Sequence, residues 1–241
     1  MSTYQTISVT NKPLQCVIQI DCTTKNVAPG SVTKIRIKRR LNGTLSWTNI
    51  GDMAISTTAD FTFSVQDPNT RSEYSYDYMI MPVQGEVETV GEVISNIKCS
   101  FAAIYVSDGI STYIGALNTD YDITDNHAGT FIEMQYSKYP FYIVNGDMDY
   151  SSGMCKALWL PYDVSGNPTE TGARAYKDAF KSFLKNGIPK NIKIYDGQVH
   201  RVGVEGSSVK ETTINPGVAS EIQFNWKEIE DFPTTGLVVV T

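Results

Sequence analysis

Histidine is almost missing from this 241-residue sequence, which has only His127 and His200. Cysteine is scarce too: four residues, at 16, 22, 99 and 155, with no pair at CxxC spacing. A structural zinc site takes four ligands, mostly thiolate or imidazole, so the chain is not expected to hold zinc. Without export signals, reduced cysteines in a core are the expectation, and Cys16 and Cys22 have the parity to share one face of a strand. Positive charge is also short, with 20 Lys and Arg against 26 Asp and Glu, a net charge of -6. No basic tail or stripe is present to neutralise phosphates, so sequence-specific nucleic-acid binding is not expected. No run of about 18 apolar residues exists, so no membrane insertion is expected. The start, Met1-Ser2-Thr3-Tyr4-Gln5-Thr6, lacks the basic and apolar regions of a signal peptide, which predicts synthesis in the cytoplasm without one.

The signatures of catalysis are missing as well. There is no Gly-x-Ser-x-Gly elbow, Walker loop, Rossmann glycine fingerprint or HExxH. His127 reads as a loop residue and His200 as an ordinary strand surface residue. Asp120, Asp122 and Asp125, and then Asp147 and Asp149, are acidic enough to suggest calcium. They lack the central Gly and closing Glu of an EF-hand loop, and Asp is a common turn residue. A glycosidase would need two facing carboxylates, which a sequence cannot pair across a β fold. The expectation is no enzyme, no metal and no cofactor.

What is plentiful is aromatic and β-branched. The chain has 14 Tyr, 9 Phe and 3 Trp, residues that pack well on a pleated surface. Lys34-Ile35-Arg36-Ile37-Lys38-Arg39-Arg40 alternates with a period of two, so it reads as a strand with one basic solvated face. Asn42-Gly43 and Asp196-Gly197 are hairpin turns, while Pro29-Gly30 and Asp67-Pro68-Asn69 mark further turns. Residues 1–97 read as short strands with turns every 8 to 12 residues, the pattern of a sandwich. In 98–241 the one clear helix spans about 171–186. Ala173, Tyr176, Ala179, Phe180, Phe183 and Leu184 lie on its apolar face, Thr171 caps its start, and Asn186-Gly187 ends it. Glu221 to Lys227 alternates again. The fold class is therefore mainly β with one packed helix. Expected core residues are Trp47, Tyr74, Tyr176, Phe180, Phe183, Leu184, Phe224 and Trp226.

Two resemblances add to this reading. Ile35 to Arg40, then Trp47-Thr48-Asn49-Ile50-Gly51 and the Tyr-x-Tyr-x-Tyr run at 74, 76 and 78, resemble a fibronectin type III-like module. There Tyr74 would form the tyrosine corner, although Cys22 stands where that family usually has Trp. Phe180-x-x-Phe183-Leu184-x-Asn186-Gly187, Lys190-Asn191-Ile192-Lys193-Ile194, Asp196-Gly197 and Phe224-Asn225-Trp226-Lys227-Glu228-Ile229-Glu230-Asp231 resemble, in that order, the minor or distal tail proteins of phages of Gram-positive bacteria. The second resemblance implies a β-sandwich or split barrel with one packed helix, over 98–241. It also implies a virion tail, baseplate or tail-tip location and a ring-like homo-oligomer of six or three copies that contacts other tail proteins. DNA would pass through the ring's lumen.

The apolar tail Leu237-Val238-Val239-Val240 would be an aggregation risk in water, so it is expected to pair with its own body or with a neighbour. A second reading is a host-surface or carbohydrate-binding adhesin, for which Tyr136, Tyr139, Phe141 and Tyr142 are the candidate groove residues.

Overall fold

The computed structural model describes residues 5–24, 31–144, 146–163, 167–215 and 219–240. The expected turn at Pro29-Gly30 lies outside them. In chain order the strands are β1 (Gln5–Lys12), β2 (Val17–Thr24), β3 (Lys34–Leu41), β4 (Thr48–Ala54), β5 (Thr62–Asp67), β6 (Ser75–Gln84), β7 (Val87–Glu88), β8 (Glu92–Lys98) and β9 (Ile104–Ser107). Then come β10 (Thr112–His127), β11 (Thr130–Ile132), β12 (Phe141–Ile143), β13 (Asp149–Trp159), helix α1 (Ala173–Leu184), β14 (Lys190–Lys193), β15 (Val199–Val204), β16 (Lys210–Asn215), β17 (Ala219–Glu230) and β18 (Val238–Val239). The protein is mainly β with one α-helix, as its alternating segments and single 3.6-residue pattern predict.

Two compact units divide the chain, each built from separated segments. The first comprises residues 1–105, 193–199 and 232–241; the second comprises 106–192 and 200–231.

The first unit holds two sheets. One has the order β1-β2-β5-β18; the other has β4-β3-β6-β7, with β8 also paired to β6. Alternation fixes the inward faces. Ile18, Ile20, Cys22 and Val65 are buried on the first sheet, Ile35, Ile37, Tyr78 and Ile80 on the second. The basic face of β3 is outward, as predicted, but it is paired rather than free. Arg36 bonds Asp52 and Glu88, Lys34 bonds Asp52, and Lys38 bonds Glu88.

The second unit is built on a closed ring of six strands, β13-β10-β9-β14-β15-β17, which the β13–β17 ladder completes. Closure satisfies the backbone groups that an open sheet would leave unpaired. β16 adds to the side of β17 away from β13. Helix α1 packs Phe180 flat on Trp159, with ring centroids 4.0 Å apart, while Tyr113 touches Tyr176, Phe180 and Phe183. The indole N–H of Trp159 donates to the Ile222 carbonyl at 3.1 Å, so its burial strands no donor. Gly153 is required by close approach: a Cβ there would lie 2.1 Å from the Asp122 carbonyl and 2.9 Å from the Trp226 ring.

Two expectations for the helix are corrected. Its N-cap is Gly172 at φ 77°, with no side-chain cap, so Thr171 does not cap it. Ala179 faces solvent; the helix buries Ala173, Phe180, Phe183 and Leu184. Twelve residues bury only a narrow stripe, and Ala179 lies beside it.

Candidate assembly surfaces

β10 and β13 run on past the barrel as a long antiparallel arm. Their register slips between Gly115 and Asp120, where Asn118 has φ 50°. From there Asp120–His127 pairs without interruption with Asp149–Lys156. β17 covers the other side of β13 only as far as Ser152. Beyond that point the arm is a two-stranded ribbon, and β11 and β12 at its tip pair only with each other. Asp120, Asp122 and Asp125 were expected in turns but sit in this ladder. Asp120 and Asp122 alternate with the half-buried Tyr121 and Ile123 and form the wetter face of the strand, while Asp125 is exposed on the other face. His127 pairs with Asp149 across the ladder at 3.0 Å, in the open.

The tip is apolar and in water. Phe131 is 68% exposed, Tyr139 69%, Tyr142 56%, Phe141 54% and Tyr136 96%. Ile132, Met134, Val144 and Met148 are exposed around them. Phe131 and Tyr142 make a ring contact with each other, at 5.0 Å. Of the candidate groove residues, Tyr136 and Tyr139 lie in the loop between β11 and β12, and Phe141 and Tyr142 are successive residues of β12 on opposite faces; all four are exposed. So much exposed apolar surface on one short ribbon suits an interaction site, and a bare ribbon also offers unpaired backbone groups along its edges.

The chain's last described residues form a strap on the first unit. β18 adds to β5, pairing Val238 with Gln66 and Val239 with Val65. Gly236 donates to the Ile50 carbonyl at 3.0 Å, and the Leu237 side chain fills the space above Gly51. Arg39 Nη2 donates to the Thr234 carbonyl at 2.7 Å, and Asn69 Nδ2 to the Thr235 carbonyl at 2.8 Å. Leu237 is half-buried, whereas Val238, Val239 and Val240 keep 41–53% of their surface exposed on an edge strand.

Behind the strap lies a buried ion pair. Arg39 Nη1 reaches both carboxylate oxygens of Asp67 at 2.7 Å. The Tyr78 hydroxyl donates to the same carboxylate at 2.9 Å, and the Asn69 amide donates to it at 3.0 Å. Burial opposes the charge on Arg39, but Asp67 outweighs it and holds the guanidinium above its ordinary value. Burial and then the same carboxylate push the Tyr78 phenol well above its ordinary value, so it stays a donor.

The expected core residues divide by position. Phe180, Phe183, Leu184, Phe224 and Trp226 are buried and Tyr176 is half-buried, its hydroxyl accepting from the Ile114 amide at 2.9 Å. Trp47 is half-buried beneath the Arg40 guanidinium, 4.4 Å from its ring centre. Tyr74 is 39% exposed one residue before β6, although its carbonyl accepts from the Cys99 amide at 2.9 Å. The corner-like bond belongs instead to Tyr76, whose hydroxyl accepts from the Arg71 amide at 2.9 Å.

The reactive groups are enclosed. Cys16, Cys22, Cys99 and Cys155 are buried and outside any disulfide, and burial pushes the thiols of Cys16 and Cys155 up to about 12. His200, expected on a strand surface, is 9% exposed, with its ring against Trp226 and Nδ1 3.4 Å from Glu228. It shares strand parity with the fully buried Val202 on β15, so alternation turns it inward. Among the described residues no three His, Cys, Asp or Glu are grouped to hold a metal, and no helix is long and apolar enough to cross a membrane.

No family model and no curated protein matches the sequence. Among solved structures the chain is similar to one from the virion of a native gene transfer agent particle. That match has a TM-score of 0.33 and 13% identity, and covers 58% of this chain and 95% of that one. It is also similar to a chain from the tail of an empty gene transfer agent particle of C6 symmetry, with a TM-score of 0.32 and 11% identity over 58% of this chain and 96% of that one.

Proposed function

We propose that this chain is a non-enzymatic structural component of a phage tail or phage-derived particle, of the distal or minor tail type of Gram-positive phages. It acts by assembling with copies of itself into a ring of six or three, in the virion tail, and by contacting other tail proteins there. The observation that carries the assembly reading is the arm. A barrel whose own edges are closed carries an apolar ribbon with both edges open, which is a surface for another chain rather than a reaction centre. The tail-specific part of the proposal rests on the ordered motifs from Phe180 to Asp231.

The strands of the first unit support a fibronectin type III-like module over residues 1–97. First, second and fifth strands share one sheet; third, fourth and sixth share the other, with the strands that follow. Leu237 to Val240 is the second proposed assembly edge, since β18 is short, terminal to its sheet and half exposed.

The test is the mass of the purified protein in solution over a range of concentrations, with negative-stain images of the same sample. A discrete ring of three or six copies with a central hole supports the proposal. A variant lacking residues 237–241 is expected to assemble poorly or lose solubility. A monomer at every concentration, alone and with particle proteins, overturns it. The exposed Tyr136, Tyr139, Phe141 and Tyr142 favour the adhesin as the second reading, and saturable binding of a host-wall glycan to the monomer, lost on replacing them, selects it.

A further inference from the structure

A small pocket in the first unit has more donors than its own residues use. It has a volume of about 240 Å³, and one wall is residues 232–234 of the strap. Arg39, Arg40 and Arg71 all reach it, and no carboxylate lines it. Arg39 is neutralised by Asp67 and Arg40 by Asp77, whose Oδ2 lies 2.9 Å from Arg40 Nε. Among the described residues Arg71 has no carboxylate partner, so the pocket carries one surplus positive charge in a chain of net charge -6. The other polar groups around it are Ser46, Thr48, Asn69, Tyr74 and Tyr76. The Tyr76 hydroxyl already accepts the Arg71 amide, which leaves its own proton to donate. Burial first, eased by that amide and by Arg39, raises the Tyr76 phenol to about 12, so the proton is there to give. The Thr234 carbonyl already accepts from Arg39 and the Thr235 carbonyl from Asn69.

Surplus guanidinium and hydroxyl donors without acceptors are the chemistry that recognises an oxyanion. The volume is below the roughly 300 Å³ at which pockets for drug-sized ligands begin. We propose that this pocket is an oxyanion site for a single carboxylate or phosphate group, with Arg71 supplying the charge and Tyr76 and Thr48 orienting the ligand. The site is independent of the assembly reading, because its geometry lies within one unit of one chain.

The probes are inorganic phosphate and N-acetylglutamate amide, each titrated at low ionic strength into the full chain and followed by backbone amide NMR. Saturable shifts confined to residues 39–48, 69–76 and 232–234 are expected, with dissociation constants at least tenfold weaker in Arg71→Gln and unchanged in Lys138→Gln on the arm. Arg71 is exposed, so its variant should fold, which unchanged shifts elsewhere verify. A Thr48→Val variant should weaken binding without changing net charge. Binding of phosphate alone assigns a phosphoryl ligand, and binding of the glutamate probe alone an acidic side chain. Linear, non-saturating shifts for both probes, or equal affinity in Arg71→Gln, overturn the proposal.

Discussion

The interiors of the two units solve one problem in opposite ways. The barrel unit is held from within by stacked rings, Phe180 on Trp159 with Phe224 and Phe183 nearby. Its one polar ring nitrogen in that stack is matched to a carbonyl. The two-sheet unit buries a charge pair instead, Arg39 of β3 with Asp67 of β5, and ties it by hydrogen bonds to β6 and the strap. An aromatic core tolerates no vacancy but needs no partner. A buried ion pair is weak as a source of stability and costly when halved, because desolvation of each ion is offset only by the other. What it contributes is specificity: one carboxylate fixes where Arg39, Tyr78 and the Asn69 amide must be, and Arg39 then fixes the strap.

The largest effects test that contrast directly. Phe180→Ala should cost about 3–5 kcal/mol in chemical denaturation, the price of a large cavity in a packed core. Asp67→Ala should cost a similar amount, about 3–5 kcal/mol, by leaving Arg39 buried without its partner. The two then diverge. Replacing both members of the pair, Arg39→Met with Asp67→Leu, should restore most of the loss, since an apolar pair of similar volume is often neutral or better. It should nevertheless loosen the strap, read as faster amide exchange at Gly236 and Val240. A double variant as unstable as Asp67→Ala would show that the pair is a source of stability after all.

A smaller effect separates surface charge from buried charge. On the barrel unit, Lys177 and Lys181 of α1 both donate to Glu211 of β16, at 2.6 and 2.8 Å. The Lys177 bond, then the Lys181 bond, hold the Glu211 carboxyl down to about 2. A carboxyl depressed in the folded state adds stability above its unfolded range, and that stability is lost as pH falls toward 2. Glu211→Gln should therefore cost about 1 kcal/mol or less at neutral pH, given its partial exposure, and nothing near pH 2. A loss that persists unchanged in acid would mean the carboxylate is not what joins α1 to β16.

Local pattern made part of this architecture legible. The alternation of 34–40 and 221–227 marks strands, and the spacing of Phe180, Phe183 and Leu184 marks the helix. Three things left no local trace. β10 reads as acidic turns because the alternation of Tyr121 and Ile123 with Asp120 and Asp122 is short and only half-buried, and Asp125 falls on the face of the two apolar residues. Barrel closure depends on β13 meeting β17, some 70 residues later, and pairing at that distance is set by tertiary packing. Tyr74, Tyr76 and Tyr78 share a parity, and nothing local tells the exposed ring from the two buried ones, since what covers each ring is set by tertiary packing. The aromatic cluster at 131–142 was visible as residues but not as a surface. A run of alternating rings looks the same whether a sheet covers it or not.

The arm tip carries the smallest expected effect on stability and the clearest separation of folding from assembly. Phe131 and Tyr136 are 68% and 96% exposed, so little surface leaves water there when the single chain folds. Phe131→Ser with Tyr136→Ser should change the monomer's unfolding free energy by no more than about 0.5 kcal/mol, as surface substitutions do. The same variant should lower the oligomer mass at fixed concentration, because those rings are buried only when another chain covers them. The outcomes divide cleanly. Loss of oligomers with intact stability makes the tip an interface, the reverse of Phe180, which is all core. A loss of several kcal/mol in the monomer would mean the tip folds back onto its own chain, and the arm would then be part of the barrel unit's core rather than its contact surface.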